Sequence, residues 1–279
     1  MKIPFAAALA LAALALAALP ALAAEATFTR TLTVNGPIEL TVSTGAGSIH
    51  LTQGPAGQIQ IFGRVHTFWG GDASLVQQIA AHPPIQQTGG IVRIGQDQAS
   101  YHNIAIDYEI QAPANAFLDA TTGAGSLTDD GVGQNARLHS GSGAIRVNGL
   151  SGSFSLETGS GSIFASQSGE GDVRAHTGSG SIELHNIRGG LQAESGAGSI
   201  HVAGTPDAPW HLETGAGSIE FWSGSASLDI DAETGFGNIR CDRPISTNQS
   251  DRRHHLEGKL GIGGPMVRLE TGAGSIHIY

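Results

Sequence analysis

Cysteine is almost absent. Cys241 is the only one in 279 residues, so no intramolecular disulfide can form and stability must come from packing and backbone ladders. In the alternation of the chain Cys241 falls on an inward position and reads as a small buried hydrophobe. Lysine is nearly absent too, with only Lys2 and Lys259, and 14 basic residues face 24 acidic ones for a formal charge of −10. That balance argues against nucleic acid as a partner. Long apolar runs are missing beyond the first two dozen residues, so nothing in the body of the chain reads as a membrane span. The single run, Ile3 to Leu22 behind Lys2, ends in Ala21-Leu22-Ala23-Ala24 and reads as a secretory leader cleaved after Ala23 or Ala24. No cysteine follows it to carry a lipid, which leaves a periplasmic, surface or released protein as the expectation.

Catalytic signatures are missing as well. The chain has no G-x-S-x-G elbow, no H-E-x-x-H and no Walker loop, and no Gly-x-Gly continues as G-x-G-x-x-G into a helix. The G-G-x-G-x-D repeat of calcium-binding solenoids is also absent, since the equivalent turns carry serines such as Ser162 and Ser181. The expectation is therefore no catalytic, cofactor-binding or metal-ligating residue, and no cofactor.

What is present is a repeat. The phrase Thr/Ser-Gly-x-Gly-Ser/Ala/Asn-Ile/Leu begins at Thr44, Thr122, Ser140, Thr158, Thr177, Ser195, Thr214, Thr234 and Thr271. From Thr122 to Thr234 successive starts lie 18, 18, 19, 18, 19 and 20 residues apart, the length of one β-solenoid coil and too short for a pair of helices. Apolar and polar residues alternate on both sides of each Gly-x-Gly, which reads as strand, tight turn, strand. Stacked in parallel, the phrases make inward columns: Leu138, Leu156 and Leu212 two residues before the Thr/Ser, and Ile145, Ile163, Ile182 and Ile200 after the turn. The fold class is an all-β parallel β-helix with coils of 18–20 residues, right-handed by the usual crossover rule.

One domain is expected over 25–279 after a signal peptide at 1–24. Within it, 25–121 reads as irregular N-terminal coils with a helical excursion near 73–82, stopped by Pro83-Pro84. Residues 122–240 hold the regular repeats, 241–265 a loop insertion with a degenerate coil at Leu256-Glu257-Gly258, and 266–279 the last coil.

Few residues invite chemistry. Glu157, Glu194, Glu213, Glu233 and Glu270 precede the Thr/Ser of their phrases and form a solvent-facing ladder, read as a charge-paired surface in preference to a cation stripe. Asp119, Asp129, Asp130 and Asp172 are the aspartates that a lyase or hydrolase reading would draw on, though their spacing is that of turn residues. His254-His255 is the only adjacent histidine pair, in a polar loop beside Arg252 and Arg253 that repel a cation. Ice or mineral binding through the Thr/Ser columns fits least, because the hydroxyls border glycine turns.

The stacked L-x-T-G-x-G-S-I phrases, the segment Tyr108-Glu109-Ile110 leading into Phe117-Leu118-Asp119, and Gly263-Gly264-Pro265 before Arg268-Leu269-Glu270-Thr271-Gly272 together resemble the bacterial putative-adhesin family of β-helical domains. The resemblance implies an exported single-domain parallel β-helix of the cell envelope and supplies no site residues. The functional expectation is a non-enzymatic, adhesin-like binding scaffold for an envelope protein or a glycan, with a carbohydrate-active enzyme on the same scaffold as the alternative. Ser275-Ile276-His277-Ile278-Tyr279 reads as an uncapped final strand able to stack end to end on a second copy.

Overall fold

The computed structural model describes residues 24–68, 72–95, 101, 103–247 and 253–279. The expected leader, apart from Ala24, and residues 248–252 of the expected loop insertion lie outside the described residues.

Each phrase builds one coil. The strand Trp210–Ala216 carries Thr214 and Gly215, the chain turns at Gly217, and Ile219–Trp222 opens on the opposite side. Trp210, Leu212, Thr214, Ile219 and Phe221 all point inward and are buried. Neighbouring coils pair in parallel and in register, Leu212 with Ala193 and Ile219 with Ile200. Two sheets result: a Thr-Gly sheet of 13 strands and an Ile sheet of 12 strands, closing a parallel β-helix around one aliphatic core. Burial of each large column residue contributes roughly 1.5–3 kcal/mol.

The Thr/Ser hydroxyls fasten coil to coil. Thr158 Oγ1 donates to the Gly143 carbonyl at 2.9 Å, Thr177 to Gly161 at 2.8 Å and Thr214 to Gly198 at 2.8 Å. These side chains are buried, so they are not available to an ice or mineral surface. The second glycine of the phrase has two reasons to be glycine. At Gly180 φ is +154°, and a Cβ there would collide with the Gly161 carbonyl one coil away.

Coil order in space departs from coil order in sequence. The strand Met266–Ala273 lies between Trp210–Ala216 and Leu228–Phe236, and Ile276–Ile278 lies between Ile219–Trp222 and Ile239–Cys241. The hydroxyl bonds follow the same order: Thr271 reaches Gly217, and Thr234 reaches Gly274, each at 2.8 Å. The final strand is therefore paired on both sides, and the expectation of an open C-terminal edge loses its premise. Leu256-Glu257-Gly258 is no worn coil either. Its strand, His255–Leu260, runs antiparallel to Leu228–Phe236 and, with Ile245–Ser246, covers that end of the Thr-Gly sheet.

The other end has the same logic. Glu39–Ala46 pairs directly with Phe117–Ala124, so the irregular coils expected before Thr122 do not stack between the Thr44 and Thr122 phrases. The intervening chain passes to the far side, where Ile91–Ile94 and Ile104–Ala112 add one parallel layer. Beyond them, Gln58–Thr67 and Glu25–Thr33 continue the Ile sheet antiparallel, while Ile85–Thr88 continues the Thr-Gly sheet. The helix expected near 73–82 spans Ala73–Ala81, with Asp72 as N-cap accepting from Ser74 N at 2.8 Å, and places Val76 and Ile79 in the core. Antiparallel strands interrupt the repeating parallel register on both sheets at the N-terminal end and on the Thr-Gly sheet at the other end, where Ile239–Cys241 closes the Ile sheet in parallel pairing.

Candidate functional site

The two outer faces differ in chemistry. Along the Thr-Gly sheet the exposed column before the hydroxyls runs His139, Glu157, His176, Glu194, Glu213, then Glu270 and Glu233. Glu270, not Glu233, is thus the neighbour of Glu213. Glu157, Glu194, Glu213 and Glu270 each have a cationic or polar partner close by. Gln192 Nε2 donates to Glu194 at 2.7 Å, His211 Nε2 lies 3.3 Å from Glu213, and Arg268 Nε lies 3.2 Å from Glu270. Glu194, His211 and Glu213 place their donor atoms within 4.8 Å of one another, the only such trio among the described residues. Histidines here answer carboxylates generally: nine lie within 4.0 Å of one. That habit makes an imidazole beside a glutamate ordinary in this chain, and the ladder keeps its reading as a charge-paired surface.

The aspartates of the enzyme reading do not converge. Asp119 lines one shallow groove on the Thr-Gly sheet and Asp172 another. Asp130 stands on the outer face of the Ile sheet, where Asn148 donates to it at 2.8 Å and His50 lies at 3.0 Å, and these bonds hold its pKa below the usual carboxylate value. Asp129 faces the other way. It is fully buried in the core column between Leu51 and Val147, and its Oδ1 accepts from Val132 N at 2.9 Å while Oδ2 has no partner. Burial pushes its pKa up to about 7. The alternation from Leu127 already assigned it inward; the run Asp129-Asp130-Gly131 disguised it as a turn.

Cys241 is half-buried on the terminal strand of the Ile sheet, its Sγ 3.4 Å from the Arg243 carbonyl. Burial raises its thiol pKa, which opposes a nucleophilic role. His254 is exposed, and His255 lies 3.2 Å from Asp231 across the antiparallel cap.

The outer face of the Ile sheet concentrates rings. One column reads Ser166, His185, Ala203, Trp222 and Tyr279, ending beside Asp242. The column next to it reads Phe164, Glu183, His201, Glu220, His277 and Arg240. Trp222 and Tyr279 stack with ring centroids 4.8 Å apart and planes 3° from parallel, and His277 packs on Tyr279 at 3.7 Å. His201 lies 6.3 Å from Trp222 and meets Glu220 at 3.1 Å. Arg146 sits 5.0 Å over the Phe164 ring further along the face. Asp242 closes the patch, its pKa lowered first by the hydrogen bond from Arg240 at 2.7 Å and then by His277 at 2.9 Å. Sequence reasoning missed this patch because Trp222 and Tyr279, 57 residues apart, meet only through the interleaved coil order.

With the geometry established, the chain belongs to the Toastrack DUF4097 family, whose pattern it matches over residues 38–279. Among solved structures it is similar to a putative adhesin from Bacteroides fragilis, at 15% identity and a TM-score of 0.49, covering 91% of this chain and 97% of that one. A putative adhesin from Parabacteroides merdae is also similar, at 15% identity, TM-score 0.32, with 91% and 96% covered. No curated protein matches the chain. No helix among the described residues is long and apolar enough to cross a membrane.

Proposed function

We propose that the protein is an exported, non-enzymatic scaffold of the cell envelope that binds another surface through the outer face of its Ile sheet. The observation that carries this reading is the ring patch of His201, Trp222, His277 and Tyr279. Trp222 remains 38% exposed on a rigid, in-register sheet, whereas Trp210 and Tyr108 of the same chain are at most 1% exposed. Exposed aromatic side chains on a preordered surface bury large area at small entropic loss, and such residues dominate binding energetics elsewhere. Export is supported by the apolar leader-like run ending at Ala24.

The test is retention of envelope material by the purified protein, compared with Trp222→Ala and with Glu157→Gln on the opposite face. The expected result is saturable capture of a glycan or protein, weakened roughly tenfold, or about 1.4 kcal/mol, by Trp222→Ala and unchanged by Glu157→Gln. Protein recovered from outside the cytoplasm is expected to begin at Ala24 or Glu25. Capture indifferent to Trp222, or none at all, contradicts the reading, and shortening of an added polysaccharide puts the carbohydrate-active enzyme in its place.

A further inference from the structure

The ring column of the Ile sheet has a missing rung. His185, Ala203, Trp222 and Tyr279 occupy four consecutive coils in one register. Parallel strands lie about 4.8 Å apart, so His185 and Trp222 stand about 9.6 Å apart along the stack. Ala203 puts only a methyl group into that column, while the His201 imidazole, on the same strand, lies diagonally against Trp222 with ring centroids 6.3 Å apart. One rung further on, Trp222 and Tyr279 fill the same spacing with two rings stacked at 4.8 Å. A six-membered ring standing on Ala203 therefore lies one ladder step from His185 on one side and from Trp222 on the other.

The rim of this slot is polar. His201 flanks it, with its imidazole plane 22° from that of Trp222 and its Nδ1 3.1 Å from Glu220. Glu183 stands beside His185, whose Nε2 it meets at 2.8 Å. An occupant must therefore present two faces that pack on rings and an edge of hydrogen-bond donors for the Glu183 and Glu220 carboxylates. A phenylalanine side chain of a partner protein offers the faces without the edge, and tyrosine or tryptophan adds a single donor, too few for both carboxylates. A pyranose offers both: axial C–H groups toward the electron-rich ring faces and equatorial hydroxyls toward the rim. The two carboxylates disfavour a uronic or sialic acid.

We propose that the slot over Ala203, between His185 and Trp222, binds one pyranose unit of a neutral or amino-sugar glycan. This rests on the binding-scaffold reading and names its ligand class. The test uses the full-length protein and a set of methyl pyranosides, N-acetylglucosamine oligomers and uronic acid oligomers. Binding is followed by saturation-transfer NMR and by tryptophan fluorescence. Ala203→Phe supplies the missing rung from within the chain and removes nothing, so it blocks the slot while leaving core and ladder intact. The expected result is binding of neutral or amino sugars by the wild type, lowered at least tenfold by Ala203→Phe and by Trp222→Ala, and unaffected by Glu213→Gln on the other sheet. Circular dichroism melting distinguishes a blocked slot from an unfolded variant. Sugar binding that survives Ala203→Phe, or a preference for uronic acids, overturns the proposal. If no sugar binds but the wild type still retains an envelope protein through Trp222, the slot assignment fails and the scaffold reading stands; if neither is bound, both fail.

Discussion

Asp129→Asn is expected to stabilise the protein at pH 8 and to remove a pH-dependent loss of stability between about pH 4 and pH 7. The folded protein keeps the Asp129 proton up to about pH 7, against an ordinary value of 3.8. Over that window the unfolded chain has already released the proton and the folded chain still holds it. Stability therefore falls as pH rises and levels off above 7. At 1.36 kcal/mol per unit the full loss is on the order of 4 kcal/mol. Asparagine keeps the acceptor for Val132 N and abolishes the charge, but it leaves an amide N–H₂ where Oδ2 now has no partner. That orphan costs about 1–3 kcal/mol, so the net gain at pH 8 is roughly 1–3 kcal/mol and the variant is less stable than the parent near pH 4. Asp130 and Asp242, whose pKa values are lowered, act in the opposite sense and lose stability as pH falls. Denaturant melts of both proteins at several pH values isolate Asp129, because the other groups cancel in the difference. A constant difference across pH 4–8 contradicts its burial as an unpaired carboxyl.

The second large effect concerns the turn. Gly180→Ala is expected to cost roughly 2–6 kcal/mol, combining a strained φ with overpacking against the Gly161 carbonyl. Gly149→Ala is the control. Gly149 also has positive φ, +75°, but nothing lies within 4 Å of the position its Cβ would take, so only the conformational cost of about 1 kcal/mol remains. Equal melting temperatures for the two variants would show that close coil approach is not what demands glycine in the phrase.

Periodicity carried the architecture. The 18–20-residue spacing, the alternation and the Gly-x-Gly turns are local consequences of strand and turn chemistry, and the columns Leu138 to Leu156 and Ile145 to Ile163 pair as the repeat implies. Coil order is a different matter. The phrases offer nearly the same inward residues to a neighbour, and those at Thr214, Thr234 and Thr271 all carry Leu or Ala, Thr and Ile, so the Thr271 phrase fits beside Thr214 or Thr234 with similar contacts. The choice is made by the connections, and the short link at 223–227 and the antiparallel cap at 255–260 carry no periodic signal. The same degeneracy hid the ring patch. Asp129 escaped for another reason: a buried carboxylic acid looks like a turn residue when a second aspartate and a glycine follow it.

The ring patch exists only because the last coil slips in beside Trp222; stacked in sequence order, Tyr279 would stand against Asp242 alone. Disulfide trapping tests this directly in a Cys241→Ala background. Ala216 and Ala273 are register partners on adjacent strands, and Ala273 and Phe236 are partners on the next pair. Ala216 and Phe236 are therefore two strands, about 9.6 Å, apart, beyond the reach of a disulfide. Ala216→Cys with Ala273→Cys is expected to cross-link readily under mild oxidation, and Ala216→Cys with Phe236→Cys is not. Efficient cross-linking of the second pair and none of the first would show sequential stacking and dismantle the proposed face.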